Sequence, residues 1–165
     1  MTALVAGESL ACVTVPLAPQ RSKHKPVMRG GQLDMRPDKA WASWRAAAVM
    51  VLRSQWRGRA PIHAPVLPRI VAVFERPKKP RLTYTIGGVE RPYPWEWTPD
   101  RVPFIGTPDW DQVGKAAIDV VKQAGILVDD PLLVGVAHME RWYAAEGERP
   151  SVTIELFAAV LSSSR

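Results

Sequence analysis

Five aspartates, Asp109, Asp111, Asp119, Asp129 and Asp130, fall between residues 109 and 130 together with Lys115. Carboxylates at that density repel one another, and a shared cation relieves the repulsion. Hard oxygen donors of this kind suit Mg²⁺, with Mn²⁺ as a substitute. A metal held by aspartates lowers the pKa of its bound water, and a neighbouring lysine meets negative charge developing on a phosphate. The pattern points to phosphodiester hydrolysis.

Each residue also has a purely local reading. Asp109 suits a helix N-cap with Gln112 three residues on, as in a capping box. Asp111 would then complement the helix dipole. Asp129-Asp130 before Pro131 reads as turn chemistry. Lys115 has Asp111 and Asp119 at helical spacing on a solvated face. Taken singly, each residue favours its local role; the concentration of all of them in one stretch favours the chemistry.

The elements that must position these residues follow from periodicity. Val113, Ala116, Ala117, Val120, Val121 and Ala124 recur at helical spacing, which predicts a helix over 110–124 ended by Gly125. A second helix is expected over 38–56, entered through Pro37-Asp38, with Trp41, Trp44, Ala48, Val51, Leu52 and Gln55 on one stripe. Trp41 and Trp44 read as core rather than as base-stacking platforms. Strands are expected at 10–15, 66–75, 132–143 and 151–158, with Glu146-Gly147-Glu148 as a hairpin turn and 162–165 as a frayed tail. Residues 16–37 read as a loop or loose hairpin around Gly30-Gly31. Residues 81–106 read as an irregular excursion with a short hairpin at Gly87-Gly88; Trp95 and Trp97 there either anchor it or stack on unpaired bases.

The chain has 165 residues, which fits one domain over 1–165. Its class reads as α+β, a small mixed sheet packed against two main helices. Cys12 is the sole cysteine, which excludes an internal disulfide and a cysteine-based zinc site. No apolar run reaches membrane-spanning length and no secretory signal pattern is present, so a cytoplasmic location is expected. The net charge of +6 is uneven: residues 1–80 carry 14 Lys/Arg against four acids, and residues 81–165 carry eight against 12. A basic half suits a nucleic-acid backbone while the acidic half holds metal, and a soluble protein with unevenly distributed surface charge fits the same numbers equally well. Arg21, Lys23, Lys25 and Arg29 in the basic loop, and Lys78 and Lys79 after the second strand, are the candidate DNA contacts. His24, His63 and His138 are scattered and receive no ligand role.

The pattern Asp109-x-Asp111-x-x-x-Lys115-Ala116-x-x-Asp119, then Gly125 and Val128-Asp129-Asp130, resembles the signature of RusA-type Holliday-junction resolvases. The match is best over 108–131 and weaker through the order of elements in 10–75 and the final hairpin. The resemblance implies a small Mg²⁺-dependent, homodimeric endonuclease, often carried by phages and prophages, that resolves four-way DNA junctions by paired symmetric nicks in recombination and repair. It implies Asp109, Asp111 and Asp130 as metal ligands, Asp129 as a neighbouring acid and Lys115 as the active-site lysine. The chain departs from the family at Gln112, where asparagine is usual, and at Pro16–Arg21, a loose equivalent of a Pro-Pro-x-x-Asn loop. Its 81–106 excursion is longer than in compact members. Two other classes stay open: a nuclease for other branched or flapped DNA, and a non-catalytic junction-binding module. A small-phosphoester phosphatase is disfavoured because no phosphate-cradling glycine loop is present.

Overall fold

A computed structural model describes residues 2–17, 24–29, 32–37 and 39–163. Five strands form a mixed sheet: β1 (Thr2–Val15), β4 (Val66–Phe74), β7 (Val102–Pro103), β8 (His138–Tyr143) and β9 (Ser151–Ser163). Their order is β1-β9-β4-β8-β7. Among the described strands only β4 and β8 pair in parallel. A parallel pair needs a long crossover, and α2 (Trp110–Gln123) lies within that connection. A hairpin of β2 (His24–Arg29) and β3 (Gln32–Pro37) precedes α1 (Lys39–Gln55). The fold is α+β, as the alternation of patterns implies.

Both helices pack into one core with the sheet. Trp41, Trp44, Ala48 and Leu52 of α1 meet Ala116, Ala117, Val120 and Val121 of α2 over Val13, Val66, Ile70, Ile154 and Leu156. Trp41 and Trp44 are buried and stacked with ring centroids 5.3 Å apart. Gln55, a polar residue on the apolar stripe of α1, closes a paired contact with β1. Its Nε2 donates to the Thr14 carbonyl at 2.6 Å, and its Oε1 accepts from the Thr14 N–H at 3.0 Å. The Arg53 guanidinium donates to the Gln123 carbonyl at 2.9 Å, satisfying an orphan acceptor at the end of α2.

Three boundaries differ from the sequence reading. β1 starts at Thr2 and β9 runs to Ser163, because the two pair along their whole length, with Ala3 opposite Ser162. The last residues expected to fray are therefore strand through Ser163. β8 starts at His138, not at 132. Asp130–Leu132 form a single 3₁₀ turn, and 133–137 only touch β4, through bonds such as Ala137 N–H to the Pro68 carbonyl at 2.9 Å. The Pro68 carbonyl faces that segment, so the N–H that proline lacks is missing from the same side of the ladder.

The excursion at 81–106 carries its own hairpin, β5 (Thr83–Ile86) and β6 (Val89–Pro92). Gly87 and Gly88 both have positive φ, 58° and 79°, as a two-residue turn matching strand twist requires. The rest is irregular but tied down. Trp97 packs on Tyr93 and Tyr143, at 5.5 and 5.1 Å between centroids. Arg76 donates to the carbonyls of Thr98, Asp100 and Ala144. Trp95 stays 46% exposed.

Candidate active-site face of helix α2

The helix that carries the aspartates is aimed by its approach. Arg141 of β8 donates through Nη1 to the Gly106 carbonyl at 3.0 Å and the Pro108 carbonyl at 2.8 Å. Its guanidinium also lies over the Phe104 ring, 5.5 Å from the centroid. Residues 104–108 are thereby pinned to the sheet immediately before Asp109. Asp109 is extended, with φ −73° and ψ 177°, and its Oδ1 accepts from the Gln112 N–H at 3.4 Å as the N-cap. Gln112 Oε1 is buried with no hydrogen-bond partner among the described residues. An orphaned buried acceptor costs roughly 1–3 kcal/mol.

One face of α2 then presents the remaining groups. Asp111 and Lys115 line a groove of about 200 Å³ beside Trp110. Lys115 also lines the adjoining groove of about 270 Å³, with Asp119 and Asp130. Both grooves share Gly114, Lys115, Ile118 and Leu133 as walls. Asp111 and Lys115 are exposed. Among the described residues neither makes an ion pair within 4 Å, so Lys115 is not tied to Asp111 or Asp119.

Asp119 is half-buried, and burial is the main cause that raises its carboxyl above the ordinary range. The Asp130 charge pushes the same way; Lys115, Lys122 and Arg45 oppose it. Lys122, one turn on, donates to Asp130 Oδ2 at 2.7 Å and lies 3.5 Å from Asp129 Oδ1. Its ammonium is held above its ordinary value, chiefly by the Asp130 hydrogen bond. Asp129 caps the 3₁₀ turn, its Oδ1 accepting from the Asp130 N–H at 2.8 Å. Asp109 and Asp129 thus have the local roles that their positions suggested. That does not remove them from ligand duty, since a carboxylate has a second oxygen.

The donor set suits a hard divalent ion in kind: Asp109, Asp111 and Asp130 are exposed carboxylates, and Lys122 already supplies a cation to Asp129 and Asp130. It is not gathered. Among the described residues no three His, Cys, Asp or Glu side chains stand close enough to share one ion.

Of the basic residues expected at DNA, Arg21 and Lys23 lie outside the described residues. Lys25 and Arg29 fall in β2, and Lys78 and Lys79 are exposed beyond the end of β4. His138 Nε2 lies 3.1 Å from Glu140 Oε1, and Arg69 is 3.4 Å from the same oxygen. That explains His138 without a metal. Sequence reasoning missed Arg141, whose contact with Pro108 spans 33 residues and has no local signal. It also passed over Trp110, whose place between two aspartates was visible from the start.

Compared with known proteins, the chain matches no family model and no curated sequence. Among the described residues no helix is long and apolar enough to cross a membrane.

Proposed function

We propose that this protein is a divalent-metal-dependent endonuclease of branched DNA, and specifically a four-way-junction resolvase acting as a homodimer in the cytoplasm of a bacterial cell or of its phage-infected counterpart. The observation that carries the reading is the shared wall of two grooves on α2. It sets Lys115, with no ion-pair partner among the described residues, between Asp111 on one side and Asp119 and Asp130 on the other. A lysine with no ion pair among the described residues, set amid carboxylates, suits a site whose partners arrive with the substrate.

Asp109, Asp111 and Asp130 would hold Mg²⁺ or Mn²⁺, with Asp129 adjoining, once ion and substrate draw together carboxylates that stand apart in the structure. When bound, the ion supplies a water of lowered pKa and neutralises phosphate charge. Lys115 binds a non-bridging phosphate oxygen and stabilises charge that develops there. The Arg141 clamp keeps Asp109 and Asp111 at a fixed angle to the groove. A two-fold dimer supplies one such site per strand, as paired nicking needs. The net charge of +6 favours a polyanion, and Lys25, Arg29, Lys78 and Lys79 are candidate backbone contacts together with Arg21 and Lys23.

Three observations favour a second reading, a non-catalytic junction-binding module: Asp109 caps α2, Asp129 caps the 3₁₀ turn, and Lys122 already neutralises Asp130. The deciding experiment incubates a labelled synthetic four-way junction with the protein in Mg²⁺ or EDTA, beside Asp111→Asn and a linear duplex. Paired symmetric nicks that need Mg²⁺ and Asp111 and spare the duplex are expected. Binding with no cleavage under any condition would establish the binding module instead, and cleavage of flaps in preference to junctions would reassign the substrate.

A further inference from the structure

The groove beside Asp111 is built for something other than phosphate. Apart from Asp111 and Lys115 at its edge its lining is almost wholly apolar, with Ile70, Ile118 and Met139 among its walls. Trp110 lines it while 60% exposed. Among the described residues no ring stacks on Trp110 and no cation lies over it. Exposing a tryptophan at the first helical position forgoes the stabilisation that burial would give.

Gly114 adds an independent observation. It sits inside α2, where glycine costs up to about 1 kcal/mol relative to alanine. Packing does not demand it, since an added Cβ would meet only Met139, 3.5 Å from Sδ, an ordinary contact. The missing methyl instead keeps the shared wall of both grooves low.

We propose that this groove takes a single nucleobase, unstacked from the DNA next to the phosphodiester held at Asp111 and Lys115, with Trp110 as its stacking face. The inference rests on the reading of the site as a branched-DNA nuclease and adds a base subsite to it. About 200 Å³ is below the range of ordinary drug-sized ligand pockets, roughly 300–1,000 Å³, but accommodates one planar ring system. The charged edge beside an apolar slot matches the two ends of a nucleotide, phosphate and base. Unstacking costs least where pairing or stacking is already weakened, and a branch point interrupts continuous stacking. Any preference for particular bases near the cut would be read here.

The test measures junction affinity in EDTA, so that it is independent of cleavage. Each nucleotide around the branch point is replaced in turn by an abasic residue and measured against wild-type protein, Trp110→Ala, Trp110→Phe and Gly114→Ala. Loss of the stacking face is expected to weaken binding about fivefold to a hundredfold. One abasic position should weaken wild type to a similar degree and add nothing further to Trp110→Ala, as coupled partners do. Trp110→Phe should retain most of the affinity. Gly114→Ala should weaken binding while raising the melting temperature, which separates occupancy of the groove from damage to the fold. Strictly additive effects at every position, or wild-type affinity in Gly114→Ala, overturn the subsite. If Mg²⁺-dependent cleavage survives that result, the nuclease reading stands alone; if wild-type protein binds no junction, both fall together.

Discussion

Lys122 Nζ lies 2.7 Å from Asp130 Oδ2, so a carboxylate proposed as a metal ligand is engaged by an ammonium one turn beyond Asp119 on the same helix. A bound ion and Lys122 compete for that oxygen. Removing the positive charge also removes repulsion toward any cation nearby. Lys122→Met is therefore expected to lower the Mn²⁺ concentration for half-saturation several-fold at low ionic strength, with the gain shrinking as salt is added. Titration followed by Mn²⁺ paramagnetic resonance checks this. Unchanged affinity would mean that Asp130 takes no part in holding the ion.

Asp109 carries two roles that a pair of substitutions separates. As the N-cap of α2 it accepts from the Gln112 N–H. Asp109→Ala should cost about 1 kcal/mol, a fall in melting temperature of roughly 2–4 °C for a chain of this size. Asp109→Asn keeps a capping oxygen and should melt near wild type. If the residue is also a ligand, both variants lose junction cleavage. An Asn variant that cuts at the wild-type rate would leave Asp109 as a cap alone.

Much of α2 was legible because its period is strong and its stop, Gly125, has positive φ at 79°. The hairpin at Gly87-Gly88 was legible for a similar reason, since two adjacent glycines license a turn that few other pairs adopt. The start of β8 was not, because apolar residues from 132 onward read as strand while the missing donor sits on Pro68 of a neighbouring strand. Within the site, helical spacing along α2 suggests local pairing of Lys115 with Asp111 and Asp119. The chain reversal at Gly125 instead brings Asp129 and Asp130 to Lys122 and leaves Lys115 with no ion pair among the described residues. Local spacing named the charged groups; only the tertiary turn decided which of them neutralise one another.

Asp119 gives a pH dependence with a defined sign. Burial favours its protonated form in the folded protein, so its folded pKa exceeds the unfolded one. Between those two values the folded state binds more protons, and stability falls as pH rises through that window. Above it the group is a half-buried charge opposing the fold. Asp119→Asn should raise the melting temperature at neutral pH and leave it unchanged at about pH 3, below both pKa values. A variant destabilised at neutral pH would show that attraction from Lys115, Lys122 and Arg45 outweighs desolvation.

Arg141 tests whether the approach to the helix matters to the chemistry. Its Nη1 serves the carbonyls of Gly106 and Pro108, and hydrogen bonds from a charged donor contribute about 1.5–3 kcal/mol each before exposure is discounted. Arg141→Met keeps bulk against Phe104 but frees both carbonyls. The expected outcome is faster amide exchange at 105–109 and a cleavage rate that drops well beyond the loss in junction affinity, as a residue that orients Asp109 and Asp111 without touching DNA would give. Arg141→Lys should restore little, since its ammonium lacks the planar guanidinium face that lies over Phe104 while Nη1 serves the two carbonyls. If affinity and rate fall in equal proportion, the residue acts on binding, and the clamp is not what sets the angle of the aspartates.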